Sequence, residues 1–207
     1  MEVIMLNGVR VVRGVQWEQF AGIQKLRRLK LMYSTVRSLD RSFRDNAPRQ
    51  LEELDIYNCS TESLDDQAFS LLTNMLEFSL EYGKVREVKR SMFPNPAKVR
   101  SIFLGSNRIE TLPEDIFINM PDLKNILLHS NRISQINENT FKPIFPRLTW
   151  FKVNGNPIDC HCSIRWIVTV DKPNLAWQKF QGDCIQPREL AGRPLRDLKT
   201  SDFAHCG

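Results

Sequence analysis

VRSIFLGSNRIETL, residues 99–112, is followed by LKNILLHSNRISQI, residues 123–136, with apolar residues at the same offsets. Numbered from the first residue of each stretch, the shared template is apolar at positions 1, 4, 6, 11 and 14 and polar at position 9. It runs back through the chain in frames that begin at Met1, Leu26, Leu51, Met75, Val99 and Leu123, and a short seventh at Leu148 ends in NPID. Positions 4 and 6 read Ile4/Leu6, Leu29/Leu31, Leu54/Ile56, Phe78/Leu80, Ile102/Leu104, Ile126/Leu128 and Phe151/Val153. Position 11 reads Val11, Val36, Thr61, Val85, Ile109, Ile133 and Ile158, and Phe20, Phe43, Phe69, Phe93, Phe117 and Phe141 close the repeats. Chance does not produce six registers in a row, and a repeat of this length governs the whole fold.

The template resembles the leucine-rich repeat over essentially the whole chain. That resemblance implies an α/β solenoid: a curved parallel sheet with short helices or loops on its convex side. The physical logic agrees. Positions 4 and 6 point the same way from a short strand and stack on the next coil. One repeat cannot bury its apolar face alone, but burial of each such side chain between neighbours contributes roughly 1.5–3 kcal/mol. Five or six per repeat offset the entropy of ordering it. Residues 1–147 are thus expected to form six repeats without an N-terminal cap, and residues 148–207 the last partial repeat and a cysteine-rich cap. With no cysteine cluster or signal sequence ahead of the first frame, its open end is expected to self-associate.

Position 9 holds Val9, Ser34, Cys59, Gly83, Asn107, Asn131 and Asn156. An asparagine here can satisfy backbone groups of adjacent coils, because its amide both donates and accepts. Val9 and Gly83 offer no such side chain, so looser turns are expected there. Cys59 reads as a buried weak donor of the kind the family uses as a ladder substitute, with a reactive thiol or an intermolecular disulfide as the alternative.

The other four of the five cysteines lie in NGNPIDCHCSIRW and the tail behind it, as Cys160, Cys162, Cys184 and Cys206. Zinc at Cys160-His161-Cys162 is disfavoured, since adjacent ligands do not easily converge on one tetrahedral ion, and no C-x-x-C redox motif is present. Sequence alone allows three pairings of four cysteines. The spacing resembles the C-terminal cap of extracellular leucine-rich-repeat proteins, and by that resemblance Cys160 pairs with Cys184 and Cys162 with Cys206. SIRWIVTV would then lay Ile164, Trp166, Ile167 and Val168 on the open end of the last coil. Disulfides place the chain in an oxidising compartment, extracellular or secreted.

Composition narrows the function. With 42% hydrophobic and 26% charged residues the chain is that of a folded protein. MEVIMLNGVRVV lacks the layout of a signal peptide, and no apolar run reaches the ~20 residues of a membrane span. The net charge of +5 permits an acidic partner without demanding nucleic acid. Only three histidines occur, with no G-x-S-x-G, phosphate loop or paired-carboxylate motif, so neither an enzyme nor a cofactor or metal site is expected. His129 is expected to face solvent.

In this family the concave sheet is the binding surface, and positions 3, 5, 7 and 8 would line it. The candidates are Arg28, Lys30, Tyr33, Asp55, Tyr57, Glu81, Tyr82, Phe103, Leu127, His129 and Trp150. All three tyrosines fall on or beside one face, as a protein interface prefers, although cross-strand stacking that stiffens the sheet would also use them. Glu53, Asp55, Glu77 and Glu81 adjoin Arg28 and Lys30, so lateral salt bridges can absorb charge. Lys84, Arg108 and Arg132, in a position-10 column that begins at Arg10, form a basic flank, solvated or suited to a sulfated glycan. Asn58 opens an N-C-S glycosylation sequon.

The resulting expectation is a non-enzymatic extracellular module that binds a protein partner. The alternatives are a fragment of a membrane-receptor ectodomain, a sulfated-glycan binder of the matrix, or a non-catalytic enzyme subunit. The last follows from a narrower similarity of GRPLRDLKTSDFAHC to secreted arthropod leucine-rich-repeat proteins, some described as the non-catalytic subunit of a luciferin 2-monooxygenase.

Overall fold

Each frame begins a strand at its position 3, which runs to position 7 in the first four frames and to position 5 in the last three, and the strands stack in chain order. In the computed structural model, which describes residues 2–9 and 15–206, the strands are β1 (Val3–Asn7), β2 (Arg28–Met32), β3 (Ser38–Leu39), β4 (Glu53–Tyr57), β5 (Ser63–Leu64) and β6 (Glu77–Glu81). They continue as β7 (Ser101–Phe103), β8 (Asn125–Leu127), β9 (Trp150–Lys152), β10 (Ile158–Asp159), β11 (Phe180–Gln181) and β12 (Cys184–Gln186). β1, β2, β4, β6, β7, β8, β9 and β11 form one parallel sheet in that order, and β3–β5 and β10–β12 are short parallel pairs. Met1, Arg10 and Val11 of the first frame lie outside the described residues.

The register matches like with like. Leu29 pairs with Leu54 and Leu54 with Phe78, while Lys30 pairs with Asp55 and Asp55 with Ser79. Inward residues therefore meet inward residues in every coil, and Leu29, Leu31, Leu54, Ile56, Phe78, Leu80, Ile126 and Leu128 are all buried. Ile4 and Leu6 are only partly buried, having a neighbouring strand on one side alone. The closing phenylalanines form a spine behind the strands, with ring centroids 6.1 Å apart at Phe43–Phe69, 5.5 Å at Phe69–Phe93 and 5.6 Å at Phe117–Phe141. Thr61, polar at an apolar position, donates its hydroxyl to the Val36 carbonyl at 2.6 Å and is fully buried without cost. On the convex side α1 (Arg41–Asn46) starts from an Asp40 cap and α2 (Glu138–Phe141) from an Asn137 cap.

Every coil turns its corner at position 8 with a residue in the left-handed region: Gly8, Tyr33, Asn58, Tyr82, Ser106, Ser130 and Gly155. The amide of that residue donates to the position-7 carbonyl of the next coil, as in Tyr33 to Tyr57 at 2.9 Å and Ser106 to His129 at 2.8 Å. Position 9 then bonds inward. Asn107, Asn131 and Asn156 each donate to carbonyls of their own and the preceding coil and accept from a backbone amide. The buried Cys59 thiol donates to Leu31 and Tyr57 carbonyls at 3.1 and 3.3 Å. The turn at Gly83 is tight, against the looser one expected. A Cβ there would stand 2.6 Å from the Asn107 side-chain oxygen and 3.1 Å from the Thr61 carbonyl, so the missing side chain makes room for the next rung.

At the C-terminal end Cys160 is bonded to Cys184 and Cys162 to Cys206. α3 (Trp166–Thr169) lays Trp166 and Ile167 on the last coil, with Ile164 just ahead of it. The Trp166 indole donates to the Ile136 carbonyl at 3.2 Å, and its ring meets Phe145 edge-on at 5.2 Å. β11 pairs with β9, so the closing segment also covers the edge that the sheet would otherwise leave open.

Candidate recognition surface on the concave sheet

Strand alternation sends positions 3, 5 and 7 to the face opposite the core. Their rows are straight across the sheet, because the register brings Glu53, Glu77, Ser101 and Asn125 into one line and Lys30, Asp55, Ser79, Phe103, Leu127 and Lys152 into the next. Tyr33 and Tyr82 stand at the rim, 55% and 47% exposed, and Tyr57 fills the space between them. The Tyr33–Tyr57 and Tyr57–Tyr82 centroids are 5.6 and 4.9 Å apart. Their cross-strand stacking is real, but it leaves the outer tyrosines half in water.

Charge on this face is unevenly matched. Lys30 pairs with Glu53, and Arg28 reaches the same carboxylate at 3.9 Å. Among the described residues Asp55 and Glu77 have no ion pair within 4 Å. Burial pushes the Glu77 carboxyl up from its ordinary pKa, and Glu53 and Asp55 add to that while Lys30 opposes it. Burial also raises Glu81, helped by Asp55 and resisted by Lys152 and the Gly105 amide.

His129 is not solvent-facing. Only 15% of its side chain is exposed, because Gly105 of the neighbouring coil offers no side chain and the imidazole lies over it; a Cβ on Gly105 would collide with the ring. Its Nε2 stands 3.9 Å from Glu81 Oε1, beyond hydrogen-bond range, and burial with Lys152 nearby pulls its pKa down. Glu81 Oε1, His129 Nδ1, Asn154 Oδ1 and Trp150 Nε1 are all buried with no hydrogen-bond partner among the described residues. Leu127 is buried too and adds little accessible surface, while Trp150 is covered by the Lys179 ammonium, 5.4 Å from the ring centre, and meets Phe103 edge-on at 6.3 Å.

Two family models match: Leucine rich repeat over residues 97–158, and BspA type Leucine rich repeat region (6 copies) over residues 11–108. The chain is a leucine-rich-repeat solenoid. No curated protein matches it. Among solved structures it is similar to a chain of the octameric complex of Latrophilin 3 (Lec, Olf), Unc5D (Ig, Ig2, TSP1) and FLRT2 (LRR). That likeness has a TM-score of 0.62 at 19% identity and covers 100% of this chain and 77% of the other.

Elsewhere the solenoid offers less. On the basic flank Lys84 pairs with Glu62 at 2.7 Å and Arg132 with Glu110 at 3.6 Å, which neutralises two of the three cations proposed for a sulfated glycan. Asn58 is exposed at the corner between Tyr33 and Tyr82. Cys162, His205 and Cys206 gather their ligand atoms within 4.8 Å of one another, but the two sulfurs are bonded together. Cys160 is likewise bonded to Cys184, and His161 pairs with Asp159. No helix among the described residues is long and apolar enough to cross a membrane.

Ser79, Glu77 and Gly105 are among the residues of this face that lie outside the sequence candidates. Their signal was in the columns: a serine between Asp55 and Phe103, and a glycine between Glu81 and His129.

Proposed function

We propose that this solenoid is a non-enzymatic, extracellular recognition module that binds a protein partner across its concave sheet, with residues 148–207 as the closing cap. The observation that carries the reading is the backbone at Tyr33 and Tyr82, with φ of +50° and +55°. A bulky residue held there costs on the order of 1–3 kcal/mol. Glycine, asparagine and serine fill the same corner in the other coils. The two tyrosines are half exposed, so core burial does not offset that strain. Exposed aromatics held in place at such expense suit an interface anchor. The solved neighbour comes from a multi-protein complex, which supports a protein partner. A carrier role beside an extracellular enzyme would use the same face. A glycan on Asn58 would stand among the tyrosines and compete with the partner.

The test is a screen against secreted and cell-surface ectodomains, followed by Tyr57→Ala and Phe103→Ala in the positive pair. Each substitution is expected to weaken affinity by about 10- to 30-fold with thermal unfolding essentially unchanged. Unaltered affinity in a folded double variant would sink the reading. The compartment is tested separately by alkylating unreduced protein from its native source. One label is expected in denaturant, at Cys59, and none in the native state, where that residue is 1% exposed. Five labelled cysteines would overturn an extracellular setting.

A further inference from the structure

Ser79 sits at the centre of the concave face with larger side chains all round it. Asp55 is its partner on β4 and Phe103 its partner on β7. Glu77 and Glu81 precede and follow it on the same face of β6, while Tyr57 stands beside Glu81 in the next row. Neighbouring strands are about 4.8 Å apart and same-face residues about 6.6 Å along a strand. The result is a socket with a hydroxyl floor, carboxylates on three sides and an aromatic ring on the fourth. Ser79 is 5% exposed, and its hydroxyl takes part in no hydrogen bond among the described residues. Glu81 Oε1, on the wall above, is buried and equally unpartnered.

We propose that this socket receives one arginine side chain of the protein partner, its guanidinium bonded to Asp55, Glu77, Glu81 and Ser79 and stacked against Phe103 and Tyr57. The proposal deepens the concave-face reading and rests on it. A planar guanidinium presents five donors in a fixed fork and lays its face on aromatic rings, which matches acceptors spread around a ring of side chains. A small metal ion does not match: among the described residues the oxygens of these carboxylates do not gather within 4.8 Å of one another. The nearest cations act on these carboxylates only through space: among the described residues Lys30 is ion-paired to Glu53, and Lys152, three strands away from Ser79, pairs with none of the three. An unpaired, desolvated carboxylate group is costly by itself and favours a partner that brings its own positive charge.

The test titrates the intact, disulfide-bonded chain with acetyl-Gly-Arg-Gly-amide while amide shifts are followed by NMR. Matched peptides carry citrulline, which keeps the shape without the charge, or lysine. Saturable shifts are expected at Ser79, Phe103 and Gly105 with the arginine peptide alone. They should weaken by at least about tenfold in Asp55→Asn/Glu77→Gln, a variant that preserves side-chain shape, and should fade as salt is raised. The proposal is overturned by an absence of saturable shifts up to about 100 mM peptide, by equal response to citrulline or lysine, or by an unaltered response in the neutral variant. The protein partner separates the two ideas. If Tyr57→Ala weakens it but Asp55→Asn/Glu77→Gln does not, the socket fails and the surface stands. If neither weakens it, both fail.

Discussion

Replacing Asn131 by aspartate is expected to destabilise the chain by about 3–5 kcal/mol, although the change exchanges only an amide NH2 for an oxygen. The Asn131 amide donates to the carbonyls of Leu104 at 2.9 Å, Leu128 at 3.0 Å and His129 at 3.3 Å, and accepts from Ile109 N–H at 3.0 Å. A carboxylate keeps the acceptance and loses every donation, and it then faces three carbonyls in a site 7% exposed. Asn131→Leu reverses the defect. The Leu104 and Leu128 carbonyls keep bonds from the flanking rungs Asn107 and Asn156, but Ile109 N–H loses its partner in the interior. An orphaned buried amide costs roughly 1–3 kcal/mol, and the lost bonds add about as much. Cys59→Ala, which removes only weak sulfur donors, should cost about 1 kcal/mol. Denaturation midpoints measure the totals, and hydrogen exchange at Ile109 separates the variants: it should accelerate in Asn131→Leu well beyond the global change. If Asn131→Asp matches Cys59→Ala, the asparagine rungs are not what ties one coil to the next.

The same ladder explains what could be read in the sequence. Positions 1, 4, 6 and 11 recur because each faces the core in every coil from Leu26 onward, so a column of mostly apolar residues announces it. Trp166 was legible for a similar reason, being a large apolar residue directly behind the last rung. His129 was not. Its burial depends on the absence of a side chain at Gly105, which precedes it by a whole coil, and nothing near His129 in the chain reports that. The tight turn at Gly83 has the same origin, since the space is filled by Asn107 from the following coil. Left-handed corners at Tyr33 and Tyr82 carried no local signal either, because tyrosine is among the residues least expected there. The Ser79 socket becomes visible only when three frames are aligned and columns are read across. In a solenoid the decisive neighbours lie about one repeat apart, so single-frame patterns disclose the core and lateral chemistry stays hidden.

The two disulfides are expected to differ in weight although chain entropy alone rates them nearly equal. They close 24- and 44-residue separations, for which loop-closure entropy gives about 3.5 and about 4 kcal/mol. Burial reverses the order. Cys160 and Cys184 are 1% and 0% exposed and belong to the same buried hydrophobic cluster as Phe145, Phe151 and Phe180, and Cys184 opens β12, which pairs with β10. Cys160→Ala/Cys184→Ala therefore loses the crosslink and opens a cavity in that cluster, for a total of about 4–6 kcal/mol. Cys162 is exposed and Cys206 half-buried, so Cys162→Ala/Cys206→Ala loses a crosslink at the surface. There Arg165 still donates to the Cys206 carbonyl at 2.9 Å and Phe203 stays packed, so the cost should not exceed that of the crosslink itself, about 4 kcal/mol. Trp166 reports how the cap is seated, because its buried indole bonds to the Ile136 carbonyl and packs on Phe145. Its emission should shift to the red in the inner variant at temperatures where the outer variant keeps it buried, while protease should cut the outer variant only near residues 200–206. Equal shifts in both variants would mean that the cap is held by its loops as a unit, and that burial of the inner sulfurs adds nothing to the seal on the last coil.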